Sequence, residues 1–324
     1  MTADVPAALR PLLDILYRHG DVRLAEVKAD GRKFAHYTTA ENALNIIAGK
    51  SVWLRNAAVM NDHSEIKHGQ AIIGKTLEGP VGQRLWRAID HVHDGISNTI
   101  RARYLDDAHH AREMTFMTSL CEHDNVDWIG RLSMWRAYGG ARGGVALVFK
   151  SEVLTDPSLN LGLYPSPVLY GGADEFSKEL NAIAGQLEAR PKLLAAIEDM
   201  SVALVVAGAL HFAMLSLKHR GFDEEREWRI LCPTRELGPD ASVKRLVKSV
   251  GGTPQLIYEV PFHGKDGAFL PQLRWDSMLD RIIIGPALHP EVIKQAIEAE
   301  LRSQDVALWD QLVCVSDIPL RQPG

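Results

Sequence analysis

The order of apolar and polar positions divides the chain into short strands and amphipathic helices. Leu9, Leu12, Leu13, Leu16 and Tyr17 share one side of a helix expected within residues 6 to 30, followed by a polar connector that ends at Gly31. Phe34 to Thr38 alternates as a strand, with His36 and Thr38 facing one way and Tyr37 the other. Thr38 and Glu41 match the capping-box offset ahead of Ala40, Leu44 and Ile47 at helical spacing, and Gly49 closes that helix. Val52 to Leu54 gives the next short strand. In the turn Asn61-Asp62-His63-Ser64-Glu65, Asp62 and Glu65 repeat the capping offset, and residues 66 to 110 read as mainly helical with an interruption near Gly79-Pro80.

Met114 to Cys121 predicts a strand, with Phe116, Thr118 and Leu120 on one face and Thr115, Met117 and Ser119 on the other. A polar loop then leads into a helical patch around Trp128, Met134, Trp135 and Tyr138, and a glycine-rich turn, Gly139 to Gly144, precedes a buried strand from Val145 to Phe149. Tyr164 to Tyr170 carries two prolines and reads as an edge strand. Helices are expected from about Asp174 to Glu188 and from Pro191 to Lys218. Phe222 to Leu231 reads as a strand that sets Glu225, Glu227 and Arg229 on one face and Arg226, Trp228 and Ile230 on the other. Leu256 to Phe262 and Ile282 to Ile284 follow as strands, Pro290 opens a helix to about Arg302, and Val313 to Ile318 ends the fold. Strands spread along the chain around a helical middle predict one α+β domain over residues 1 to 324, with a helical extension at 1 to 30 and a helical insertion at 174 to 220.

Met200 to Leu217 carries no charge and reaches spanning length, but Ser201, Gly208, His211 and Ser216 make it less apolar than a membrane span. It reads as a buried central helix, with Glu198 and Asp199 before it and Lys218, His219 and Arg220 after it in the sense the helix dipole favours. Membrane is therefore not an expected partner. A chain of 324 residues that is 46% apolar can bury a full core. Its formal charge of −5 and scattered basic residues do not form the footprint of a dedicated nucleic-acid binder. Cys121, Cys232 and Cys314 lie far apart, against a disulfide framework or a thiolate zinc site. With no basic-then-apolar start, a cytoplasmic location is expected.

Three stretches carry candidate chemistry. The paired acids Glu225 and Glu227 suit ribose or sugar chemistry, and they suit a salt-bridged edge strand equally well. Gly139 to Gly144 is neither a Walker loop nor a dinucleotide fingerprint, because a strand follows it rather than a helix; Arg142 there is available to meet a phosphate. His91, His93, Asp94, Asp106, Asp107, His109 and His110 match no ordered ligand pattern and read as a solvated helical face, so no metal site is assigned. A metal-dependent phosphohydrolase or nuclease using that set is the alternative enzyme.

His36-Tyr37-Thr38, Asn61-Asp62 with Glu65, Met134-Trp135 with Tyr138, the strand Gly144 to Phe149, Glu225-Arg226-Glu227-Trp228-Arg229, and Ile283-Ile284-Gly285-Pro286 together resemble the pattern of a widespread bacterial family of unknown function. The resemblance covers most of residues 34 to 290. The skeleton of that pattern is similar to the ADP-ribosyltransferase-like superfamily. It implies a mixed, mainly antiparallel split sheet with flanking helices, and NAD as substrate, with ADP-ribose passing to an unknown protein, nucleic-acid or small-molecule acceptor or to water. A setting in bacterial toxin or phage-defence systems goes with it. By the same resemblance Glu227 stabilises positive charge on the ribose, and Glu225 orients or deprotonates the acceptor. His36 and Thr38 hold the cofactor, and Tyr138 or Tyr37 stacks on nicotinamide. The superfamily's central Ser-Thr-Ser element has only a partial counterpart, Thr118-Ser119. A non-catalytic protein that binds a nucleotide or a partner is the remaining alternative.

Overall fold

A computed structural model describes residues 6–59, 63–140, 143–156, 161, 163–233, 243–250, 252–264 and 269–319. The expectations placed on Asn61, Asp62 and Arg142 lie outside the described residues. The described strands are β1 (Lys33–Thr39), β2 (Ser51–Asn56), β3 (Thr115–His123), β4 (Gly143–Phe149), β5 (Tyr164–Pro167), β6 (Leu169–Tyr170), β7 (Leu217–Lys218), β8 (Glu227–Pro233), β9 (Lys244–Val250), β10 (Thr253–Pro261), β11 (Leu279–Ala287) and β12 (Val313–Val315). With helices between and around them, and pairings that are mainly antiparallel, the chain is α+β.

The chain divides into two compact units, each assembled from three segments, and the boundaries run through β2 and β3. The first comprises Met1–Ala25, Arg55–Met117 and Gly162–Glu236. Its core is helical: Leu12 and Ile15 from the first helix, Ile73 and Leu85 from the helices after β2, and Val202, Val206, Leu210 and Met214 from the Asp199–Leu215 helix are all buried together. The uncharged segment is thus a core element, and among the described residues no helix is long and apolar enough to cross a membrane. The helix expected from Pro191 to Lys218 is two, Pro191–Ala195 and Asp199–Leu215, and Leu217–Lys218 leaves the helix to form β7, parallel to β6. β5 pairs antiparallel with β8, Tyr164 opposite Leu231 and Pro167 opposite Trp228.

The second unit comprises Glu26–Leu54, Thr118–Leu161 and Leu237–Gly324. Here β1 lies between β3 and β4, β4 between β1 and β11, and β12 joins β11 in parallel. The Val145–Val148 part of β4 and the Ile282–Ile284 part of β11 are apolar runs because both faces are covered. Tyr37, Met134, Trp135, Ala146 and Ile283 form one buried cluster; Ile47, Leu147, Ile282, Ile297 and Leu301 belong to another.

Three local details differ from the sequence expectation. The helix after β1 is capped by Thr39, whose hydroxyl accepts the Asn42 N–H at 3.2 Å, so Thr38 stays in the strand and the Thr38–Glu41 capping box does not form. The left-handed residue that ends this helix is Lys50 rather than Gly49. The β9–β10 hairpin, with Val250 opposite Thr253, contains a strand that the apolar pattern does not signal: the outer strand β9 is mostly exposed.

Candidate functional site

The glutamate-rich stretch is not one continuous strand. Arg220–Glu225 forms a 3-10 turn, Arg226 takes a left-handed conformation with φ 44°, and β8 starts at Glu227. The simple period-two face is therefore replaced by a turn, yet Glu225 and Glu227 still point to one centre. That centre is the Lys218 ammonium, which donates to Glu225 at 2.7 Å and to Glu227 at 3.0 Å and lies 3.1 Å from Glu65. The Arg229 guanidinium completes the cluster. Its Nε donates to Glu227 at 3.1 Å, its Nη1 to the Leu215 carbonyl at 2.5 Å, and its Nη2 to Glu65.

Local folding explains each placement. The Asp199–Leu215 helix ends beside the cluster, and the guanidinium takes the Leu215 carbonyl that no further helical turn supplies with a partner. The chain then enters β7, where Tyr170 pairs with Lys218 and the Lys218 carbonyl accepts the Gly171 N–H. The Tyr170 hydroxyl accepts the Glu227 N–H at 2.7 Å, fixing the head of β8. Glu65 comes from the first turn of the His63–Glu78 helix. Close packing of that helix on the Asp199–Leu215 helix depends on Gly69, where a Cβ would meet the Met214 carbonyl oxygen at 2.2 Å.

The cluster contains three carboxylates and two cations, with Lys218 and Arg229 almost fully buried. Burial alone pushes the Lys218 pKa down, but Glu227, Glu225 and Glu65 outweigh it and raise the pKa, holding the ammonium charged. Such a lysine is a fixed positive charge and not a nucleophile. Glu225 is shifted up, first by burial and then by the Glu227 and Glu65 charges, against the pull of Lys218. Side-chain exposure falls from 13% at Glu65 and 11% at Glu225 to 2% at Glu227, so the cluster meets solvent at its Glu65 and Glu225 edge. The Phe222 ring, itself 46% exposed, stands with its centroid 5.1 Å from the Lys218 ammonium.

Among the residues singled out by sequence, Glu225 and Glu227 meet in the first unit, whereas His36, Tyr37, Thr38 and Tyr138 belong to the second. His36 Nδ1 donates to the Ser119 carbonyl at 2.9 Å, and burial lowers its pKa, leaving a neutral ring with Nε2 as acceptor. Tyr37 is buried; its hydroxyl accepts the Arg131 N–H, its ring centroid stands 4.7 Å from that of Trp135, and burial pushes its pKa up to about 12. Thr38 is buried in β1, and half-buried Tyr138 ends the Leu132–Tyr138 helix.

Several motif residues of the second unit converge on one indole. Trp135 donates to the Ile129 carbonyl at 3.0 Å, and Cβ atoms built at Gly130, Gly144 and Gly285 would fall 2.5, 3.0 and 2.6 Å from its ring. The Met-Trp, glycine-led strand and Ile-Ile-Gly-Pro motifs thus share a packing explanation. Lys218 and Glu65 are the members that sequence reasoning placed elsewhere, Lys218 as a helix-end base and Glu65 as a capping residue. The available signal was the position of a lysine directly after the uncharged helix.

The histidine and aspartate set does not gather. His93 is buried, with Nδ1 2.6 Å from the Asp199 carboxylate and Nε2 2.9 Å from the Leu194 carbonyl, while His110 Nδ1 donates to the Asp106 carbonyl. Among the described residues no group of three or more His, Cys, Asp or Glu side chains is placed to hold a metal ion.

No curated protein and no solved structure matches the chain. Residues 134–230, from the Met134-Trp135 pair through the Glu225-x-Glu227-Trp-Arg motif, match a family described as "Protein of unknown function (DUF2971)".

Proposed function

We propose that the protein is an NAD-using enzyme of the ADP-ribosyltransferase type, passing ADP-ribose to an acceptor or to water. The observation that carries the reading is the gathering of Glu225 and Glu227 on one buried ammonium, 2.7 and 3.0 Å away, with Glu225 at the solvent edge. Cleavage of the bond between nicotinamide and ribose leaves the electron pair on nicotinamide and positive charge on the ribose. A fixed carboxylate lowers the energy of that charge, which is the part given to Glu227. Glu225, with its raised pKa, takes the proton released when the acceptor hydroxyl or water adds to the ribose. A cytoplasmic site of action and a role in toxin or defence systems belong to the same proposal.

Incubation of purified protein with NAD tests the reading: nicotinamide is released, and labelled ADP-ribose transfers to a cell extract or appears free. Absence of both products over a wide range of protein and NAD concentration overturns it. A second reading has its own observation, because Glu227 Oε1 is engaged by Arg229 and Oε2 by Lys218. Carboxylates so engaged serve as a structural ion cluster in a protein that binds a nucleotide or partner without turnover. In that case NAD raises the melting temperature or does nothing, and no nicotinamide appears.

A further inference from the structure

β9 stands at one end of the sheet order, and among the described residues β10 is the one strand it pairs with. Alternate N–H and C=O groups along its seven residues, Lys244–Val250, therefore point outward, away from β10. Such a row is a template for one more strand.

The side chains select which strand. Lys244, Arg245 and Lys248 are exposed, and β9 contains no acid. Among the described residues Lys244 and Arg245 make no hydrogen bond or ion pair, while the Lys248 ammonium lies 5.7 Å from the Trp53 ring centroid. Glu259 stands opposite Lys244 across the hairpin, but its carboxylate accepts the Ser51 hydroxyl at 3.2 Å and forms no ion pair with the lysine. Between the charges Val247 is 73% exposed, opposite half-buried Leu256.

Lysines on an edge strand guard it against its own kind. Pairing with β9 of a second copy sets three positive charges on one strand against three on the other, with no acid between them. The same charges admit a strand of opposite sign.

We propose that the β9 edge takes an extended acidic segment of a partner protein as an added antiparallel strand. Main-chain hydrogen bonds supply the affinity, and the register supplies the specificity. Acids fall opposite Lys248, Arg245 and Lys244, and an apolar side chain falls opposite Val247. From its N-terminus the segment reads acid, apolar, unrestricted, acid, acid.

Fluorescence anisotropy of a labelled, capped peptide Thr-Glu-Val-Thr-Glu-Glu-Thr, titrated with the full chain, tests the assignment. Binding saturates below about 1 mM. A peptide with Gln in place of each Glu binds about tenfold more weakly, from about twofold for each exposed ion pair. The triple variant K244Q/R245Q/K248Q, checked for folding by circular dichroism, loses the same factor. N-methylation of one alternate set of peptide amides abolishes binding and of the other set spares it, because only one set faces β9. No saturable binding up to about 1 mM, equal binding of the Gln peptide or of the folded triple variant, or the same response to both methylations overturns the inference. So does tighter binding of a single-stranded oligonucleotide, which makes the basic strand a nucleic-acid contact.

Discussion

An ammonium with three carboxylates within 3.1 Å and 2% of its surface exposed leaves uncompensated charge behind when it is removed. Breaking a buried ion cluster by deleting one partner costs about 3–5 kcal/mol, so K218M is expected to lose stability on that scale in urea unfolding. A loss below about 1 kcal/mol, the range of surface pairs, contradicts the buried arrangement. Because the Lys218 pKa is raised, its stabilising share is fully present below the ordinary value of 10.5 and disappears only as pH rises through the higher folded value. Glu225 is also raised, so its share is present below its ordinary 4.5 and is lost as pH climbs through its folded value. For turnover the direction reverses: Glu225 accepts a proton only when ionised. NAD cleavage is expected to rise with pH across a limb above the ordinary carboxylate range, and E225Q is expected to flatten that limb. A pH profile with the same limb in E225Q removes Glu225 from the role of base.

At the scale of elements, alternation and helical spacing locate β1, β3, β4 and β10 and the helices from residue 63 to 114 within a few residues. They fail where tertiary contacts decide. Alternating charges make Phe222 to Leu231 look like one strand, but the 3-10 turn at Arg220–Glu225 and left-handed Arg226 interrupt it. Glu225 and Glu227 meet because Lys218 stands between them, and nothing in the local pattern places a lysine there. β9 is missed because its Lys244, Arg245 and Lys248 side chains are exposed and break the apolar rhythm. Two substitutions check the element packing. G69A drives a methyl into the Met214 carbonyl, and at the usual cost of overpacking, about 1–3 kcal/mol, it should lower the unfolding midpoint and loosen Glu65 from Arg229. T39A removes the observed helix cap and should cost about 1 kcal/mol; a neutral T39A together with a destabilising E41A would return the cap to Thr38 and Glu41.

At the scale of the whole molecule, the chain passes back and forth between two units, and neither is a contiguous piece of sequence. Fragments 1–161 and 162–324 each hold incomplete segments of both units, so each is expected to lack cooperative thermal unfolding when expressed alone. A cooperative transition in either fragment contradicts the division. The same interleaving explains why the candidate site is only half legible in sequence. Glu225 and Glu227 can be read from their spacing, while Glu65 lies 162 residues before Glu227 and joins it only through the packing of two helices. The motifs around Trp135 are legible as a pattern, and their meaning as a packing nest needs the approach of three glycines to one ring.

The most direct test of the central claim is the rate of nicotinamide release from NAD by wild type and by E227Q, read at a temperature where both are folded by circular dichroism. Wild type is expected to release nicotinamide and E227Q to lose at least about 100-fold, the scale for removing a group that stabilises transition-state charge. Wild-type release that persists undiminished in folded E227Q, or no release by wild type at all, contradicts it.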